Sequence, residues 1–108
     1  MATTVNLLID QGATFSTVIN LEDESGNPIN LSTYTGASQL RKHYTSSNSV
    51  SFNVALSNTG TVTLALTANQ TASLTATRYV YDVEVTDGSG IVSRIVEGIV
   101  TVTPNVTR

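Results

Sequence analysis

The stretch from Arg78 to Val85 (RYVYDVEV) and the long apolar run from Ile91 to Val102 (IVSRIVEGIVTV) decide how the rest of the chain is read. In the first, Tyr79, Tyr81, Val83 and Val85 share one face while Asp82 and Glu84 share the other. That period-two alternation belongs to a strand with one buried side. Between the two runs lies Thr86-Asp87-Gly88-Ser89-Gly90, whose Asp-Gly pair accepts positive φ at little cost. The C-terminal third therefore reads as one long antiparallel hairpin, placed centrally in a sheet. Glu97-Gly98 interrupts the second run, and a glycine in mid-strand predicts a bulge that resets which residues face inward.

Working outward, the same alternation recurs along the chain. Val5 to Ile9 (VNLLI) is a first strand, broken by Asp10-Gln11-Gly12. Thr14 to Leu21 places Phe15, Thr17, Ile19 and Leu21 on one face. The turn from Glu22 to Pro28 (EDESGNP) combines residues that tolerate unusual φ with a proline that cannot donate to a ladder. Leu31 is expected to plug the end of the core before the loop from Ser32 to Gly36. Ala37 to Tyr44 is a further strand with Leu40 inward, and Thr45 to Ser49 is a polar loop. Ser51 to Ser57 and Thr61 to Thr67 then form a hairpin around Asn58-Thr59-Gly60, with Phe52, Val54, Leu56, Val62, Leu64 and Leu66 inward. Ala68 to Ala76 is the one candidate helix, too short and too rich in threonine to stand alone. A single helical turn with Leu74 in the core fits it best. Pro104 ends the last ladder.

Seven to eight short strands with regular turns and no substantial helix predict an all-β, immunoglobulin-like antiparallel β-sandwich, with a small closed barrel as the alternative. The chain is expected to be a single β-sandwich domain over residues 1–108, with 1–4 and 104–108 as arms.

Only 12% of the 108 residues are charged, well below the usual quarter, so serine and threonine supply the polar surface. Such a surface suits contact with other proteins better than electrostatic steering. The net charge of −3 argues against a nucleic-acid partner, because phosphate contacts need clustered Lys and Arg. No apolar run approaches a membrane span, and the N-terminus has neither the basic segment nor the apolar stretch of a secretory signal. Without cysteine there is no disulfide or thiolate chemistry.

The residues that could carry chemistry are sparse. Asp82, Glu84 and Asp87 could be imagined around calcium, yet they lack EF-hand spacing and the strand places Asp82 and Glu84 on its outer face. His43 has no second histidine or cysteine to share a zinc or copper ion. No Gly-x-Ser-x-Gly elbow or glycine-rich phosphate loop occurs. No catalytic, metal or cofactor site is expected, and the protein is read as non-enzymatic. Tyr79 and Tyr81, in phase with Val83 and Val85, are expected to be structural, each hydroxyl tying down a neighbouring loop as in the tyrosine corner of sandwiches. Tyr34 and Tyr44, at a loop and a strand end, are better placed for exposed contacts.

A series of short structural motifs adds a resemblance. Asp10-Gln11-Gly12-Ala13-Thr14-Phe15 is followed by Gly26-Asn27-Pro28-Ile29-Asn30-Leu31, then Ala37 to Lys42 and Gly60-Thr61-Val62-Thr63-Leu64. Arg78-Tyr79-Val80-Tyr81-Asp82-Val83 and Glu97-Gly98-Ile99-Val100-Thr101-Val102 close the series. In this order they resemble small tailed-phage virion proteins, notably those of cyanophages, and the N-terminal domain of upper baseplate proteins of lactococcal-type phages. Thr77 departs from the glycine that relatives often carry before the tyrosine strand. The resemblance implies a structural component of a virion, either a surface decoration or a tail or baseplate adaptor. It would be made in the bacterial cytoplasm, present in many copies and held by other virion proteins. A glycan- or host-surface-binding adhesion module is the alternative, which an exposed aromatic cluster would favour.

The strand from Val5 to Ile9 carries no charge, so Val5, Leu7, Leu8 and Ile9 are candidate partner contacts, alongside Tyr34 and Tyr44. Pairing of this edge with a neighbouring subunit would leave Leu7, Leu8 and Ile9 partly exposed in the free protein. Equally, the strand could complete its own sandwich. Because carboxylates are the only plausible metal ligands and read as solvated, calorimetric melts with and without chelator are expected to superimpose. A fall of many degrees on chelation would overturn that reading.

Overall fold

The computed structural model describes residues 3–22, 25–43 and 49–106. Two sheets pack face to face. The larger contains β1 (Thr3–Thr4), β2 (Leu7–Asp10), β4 (Thr35–Arg41), β5 (Val50–Ser51), β8 (Arg78–Thr86) and β9 (Val92–Thr103). Its order is β1-β9-β8-β4-β5, with β2 joining β1 along the same side of β9. The smaller contains β3 (Phe15–Asn20), β6 (Asn53–Leu56) and β7 (Thr61–Leu66), in the order β3-β7-β6. This is an all-β sandwich with immunoglobulin-like strand order. Every pairing is antiparallel except those of β1 and β2, which run parallel to β9.

Alternation explains which side each strand buries. The inward set Val62, Leu64 and Leu66 of β7 meets Tyr81 and Val83 of β8, Val96 and Val100 of β9, and Leu40 of β4 in one core cluster. Phe52 bridges the layers, with ring centroids 6.1 Å from Phe15 and 6.0 Å from Tyr81. Leu31 and Leu74 are buried, closing the core as their spacing predicted.

The run predicted as one strand, Ser51 to Ser57, is divided between the sheets. Val50–Ser51 pairs with β4, and Asn53–Leu56 pairs with β7. Between them Phe52 donates its N–H to the Ser38 carbonyl (2.9 Å) while its ring enters the core. A single extended segment thus stitches one side of the sandwich closed. α1 (Ala68–Ala72) is the expected single turn. Its start is held by a capping box: Thr67 Oγ1 accepts from the Gln70 N–H, and Gln70 Oε1 accepts from the Thr67 N–H.

Two expectations for the ends of the hairpin are corrected. Thr3 and Thr4, read as part of a loose arm, pair with Val96 and Glu97. Gly98 is not the bulge: it lies in regular register opposite Tyr81. The irregularity falls at Ile95, because Val83 faces Val96 while the next residue, Glu84, faces Arg94. Gly98 is small for a different reason. The N-terminal chain crosses it at Val5, and a Cβ on Gly98 would overlap the Val5 carbonyl oxygen.

This close approach predicts that Gly98→Ala destabilises the protein by about 1–3 kcal/mol, as overpacking does in a fixed backbone environment. Gly88 is the control, because a Cβ added there would meet nothing within 4 Å. Gly88→Ala is expected to stay within about 0.5 kcal/mol of the parent. Urea unfolding of both variants checks the pair, and equal effects would remove the crossing as the cause.

Candidate functional site

The residues offered by the sequence for partner contact lie mostly on the N-terminal strand, and the structure separates them. Leu7 and Ile9 are 8% and 0% exposed. Their expected partial exposure is therefore corrected: the strand completes its own sandwich, with Leu7 to Asp10 in register with Val100 to Thr103. Leu8, between them, points the other way and is 62% exposed. Tyr34 is half-buried and packs against the core rather than standing out from the loop, its N–H bonded to the Leu31 carbonyl (3.0 Å). Tyr44 lies outside the described residues.

Val5 has a structural task. Its N–H donates to the Glu97 carbonyl (2.9 Å), as in a regular ladder. Its carbonyl, however, turns inward over Gly98 and accepts from the Tyr81 hydroxyl at 2.5 Å. The Ile99 N–H is met instead by the Asn6 side-chain oxygen (3.1 Å). Two side chains, Tyr81 from the neighbouring β8 and Asn6 from the N-terminal segment, thus replace the missing main-chain bond between that segment and β9, so both backbone groups stay paired. Tyr79 ties down a second crossing: its hydroxyl donates to the Thr75 carbonyl (3.0 Å) and accepts from the Thr75 N–H (2.9 Å). That contact four residues upstream, at the start of β8, has the form of a tyrosine corner. Both tyrosines act as predicted, through hydroxyls that fix neighbouring backbone.

The outer face of the large sheet holds Asp82, Glu84 and Glu97 of the hairpin, while Asp87 lies in its turn and accepts from the Ser89 and Ile91 N–H groups. Asp82 faces Glu97 directly across β8 and β9, a like-charge pair that opposes pairing on its own. Arg94 lies against both, its Nε 3.3 Å from Asp82 Oδ2 and its Nη1 3.6 Å from Glu97 Oε2. In a regular strand residues three apart point to opposite faces. The extra residue at Ile95 puts Arg94 and Glu97 on the same face, so the bulge is what lets the cation reach both acids. These groups and Gln39, Arg41 and Val80 rim an open depression of about 370 Å³. The sequence signal for this arrangement was the Arg-Ile-Val-Glu spacing, which period-two reading assigns to opposite faces.

Beside the charges, Leu8 and Ile99 (43% exposed) form an apolar end of the same face. Among the described residues, no group of three or more His, Cys, Asp or Glu is placed to hold a metal ion, and no helix is long and apolar enough to cross a membrane. The described aromatics Phe15, Tyr34, Phe52, Tyr79 and Tyr81 all pack in or against the core.

Comparison with known proteins places the fold. No protein-family model and no curated protein sequence matches the chain. Among solved structures, the chain is similar to the N-terminal domain of phage TP901-1 ORF48, with a TM-score of 0.60 and 14% identity, covering 93% of this chain and 94% of that one. A Listeria monocytogenes internalin-like protein, lmo2027, matches at a TM-score of 0.47 and 18% identity over 28% of its own chain, too weak a likeness to bear on the fold.

Burial raises the Tyr81 hydroxyl from its ordinary 10.0 to about 12. The neutral form is thus favoured in the folded protein, and the stability it adds is complete below pH 10. It is lost as pH rises from 10 through 12, where the unfolded chain releases its proton and the folded one retains it. Tyr81→Phe is expected to cost about 1–2 kcal/mol at neutral pH, because the Val5 carbonyl loses its donor. It should also flatten the alkaline fall in stability. Denaturation midpoints from neutral pH to pH 12 check both, and parallel pH profiles for parent and variant would contradict the assignment.

Proposed function

We propose that this chain is a non-enzymatic structural component of a tailed-phage particle, of the tail or baseplate adaptor type. The observation that carries the reading is the end-to-end fold likeness to the N-terminal domain of phage TP901-1 ORF48, which spans nearly all of both chains. The motif order seen in the sequence supports the same kinship, including its cyanophage and upper-baseplate branches. So does a surface with few charges, on which Asp82 and Glu97 of the large sheet are paired with Arg94.

In this role the domain acts through main-chain and side-chain contacts with other virion proteins, needs no cofactor, and is incorporated in several copies after synthesis in the host cytoplasm. Leu8 and Ile99, the apolar end of the large sheet's outer face, are its natural contacts with a neighbouring protein. A capsid decoration role uses the same surfaces. The adhesion alternative draws no support from the aromatics, which among the described residues all turn toward the core.

Fractionation of purified particles into heads and tails tests the proposal, with the protein followed by quantitative mass spectrometry. A constant amount in the tail fraction is expected. Recovery with heads alone would move the protein to a decoration role, and absence from washed particles would overturn the virion assignment.

A further inference from the structure

Among the described residues, β3 pairs with β7 alone, so its other side is a free sheet edge. The phase of the ladder identifies the groups left there. Leu21 donates its N–H to the Gly60 carbonyl (2.7 Å), which marks these two as a hydrogen-bonded pair. Alternation then makes Phe15, Thr17 and Ile19 the residues bonded to β7, and it turns the N–H and C=O of Ser16, Val18 and Asn20 outward. The side chains of those residues are exposed as well, Val18 to 55%.

Natural sheets protect such an edge with charge, proline, a bulge or a covering element. β3 (FSTVIN) has no charge, no proline and no irregularity in its pairing. The other edges differ. β2 ends in Asp10, and β5 continues into β6 and closes its side of the sandwich.

We propose that β3 is a self-association edge, pairing antiparallel with β3 of a second copy about a twofold axis at Val18, so that the two smaller sheets become one. Antiparallel pairing places residues of the same face opposite each other. Centring the axis on Val18 sets Val18 against Val18 and Ser16 against Asn20, which engages every outward-facing residue of the strand. Centring it on Thr17 would send Asn20 to Thr14, beyond the strand. The chosen register covers the exposed Val18 with its own counterpart and joins serine to asparagine. Charge does not oppose this occupant at the edge itself. With a net charge of −3, a second copy is repelled over much of the surface, yet β3 is neutral along its length. The first acid beyond it, Glu22, falls opposite Thr14 rather than another carboxylate. The proposal rests on the geometry of the edge and stands independently of the phage reading.

Sedimentation of the full chain over a wide concentration series, together with cysteine cross-linking, tests it. Residues in a hydrogen-bonded antiparallel pair have Cα atoms about 5.5 Å apart, within disulfide range. The chain has no native cysteine to confuse the result. The parent should dimerise reversibly, and Val18→Cys should cross-link to itself on mild oxidation. Ser16→Cys and Asn20→Cys should cross-link when mixed and not singly. Val18→Lys should weaken dimerisation on the order of tenfold or more, because like charges meet at the axis, while its melting temperature stays near the parent's at concentrations low enough for both to be monomeric. A parent that remains monomeric, with Val18→Cys cross-linking no faster than the exposed control Leu8→Cys, would overturn the proposal. So would a dimer that Val18→Lys leaves intact.

Discussion

The bond from the Tyr81 hydroxyl to the Val5 carbonyl is the constraint around which the larger sheet is arranged. It requires a gap in β9, supplied by Gly98, and a substitute acceptor for the Ile99 N–H, supplied by Asn6. It also requires the tyrosine to be buried beside Phe52, which links the crossing to the far layer. Removing any of these would leave a polar group without its partner or a side chain without its space. The N-terminal strand is therefore part of the core's definition, held by its inward carbonyl as much as by the burial of Leu7 and Ile9.

Around that point the hairpin of β8 and β9 joins two kinds of order. Its inner face is continuous and apolar, from Tyr81 through Val83 to Val96 and Val100. Its outer face carries acids that would repel one another if the strands were regular. The bulge at Ile95 corrects this by rotating Arg94 onto the acidic side. An exposed ion pair of this kind contributes about 0–1 kcal/mol, so its main effect is to offset the Asp82–Glu97 opposition and keep the register. The neighbouring Leu8 and Ile99 remain apolar and open.

Much of the sandwich was legible because inward residues recur every second position: Val62, Leu64 and Leu66 on β7, and Tyr81, Val83 and Val85 on β8. Leu31 and Leu74 were legible as isolated apolar residues flanked by polar turns. What period two cannot express is a strand that changes partner. Phe52 looks like any inward residue, yet it marks the passage from one sheet to the other. The same limit hid the bulge, since Gly98 is the obvious irregular residue while Ile95 is an ordinary strand former. Gly98 answers instead to the Val5 backbone, a contact far away in sequence. The candidate contact residues divided for a related reason. A strand free of charge can be either an edge or a core strand, and only its pairing with β9 assigns Leu7 and Ile9 to the inside and Leu8 to the outside.

The parallel run of β2 beside β9 has a mechanical meaning. The chain enters this ladder at Leu7 and leaves it at Thr103, at opposite ends of the paired segment. Tension between the two ends of the chain would slide the strands past each other, loading Leu7 to Asp10 against Val100 to Thr103 together. A hairpin pulled from its open end yields one bond at a time, whereas a sheared ladder must release its bonds collectively. The inward Val5 carbonyl adds the Tyr81 hydroxyl to that load, anchoring the strand to the neighbouring β8 as well as to β9. The parallel ladder thus sets the two ends of the described chain against each other in shear rather than in peeling.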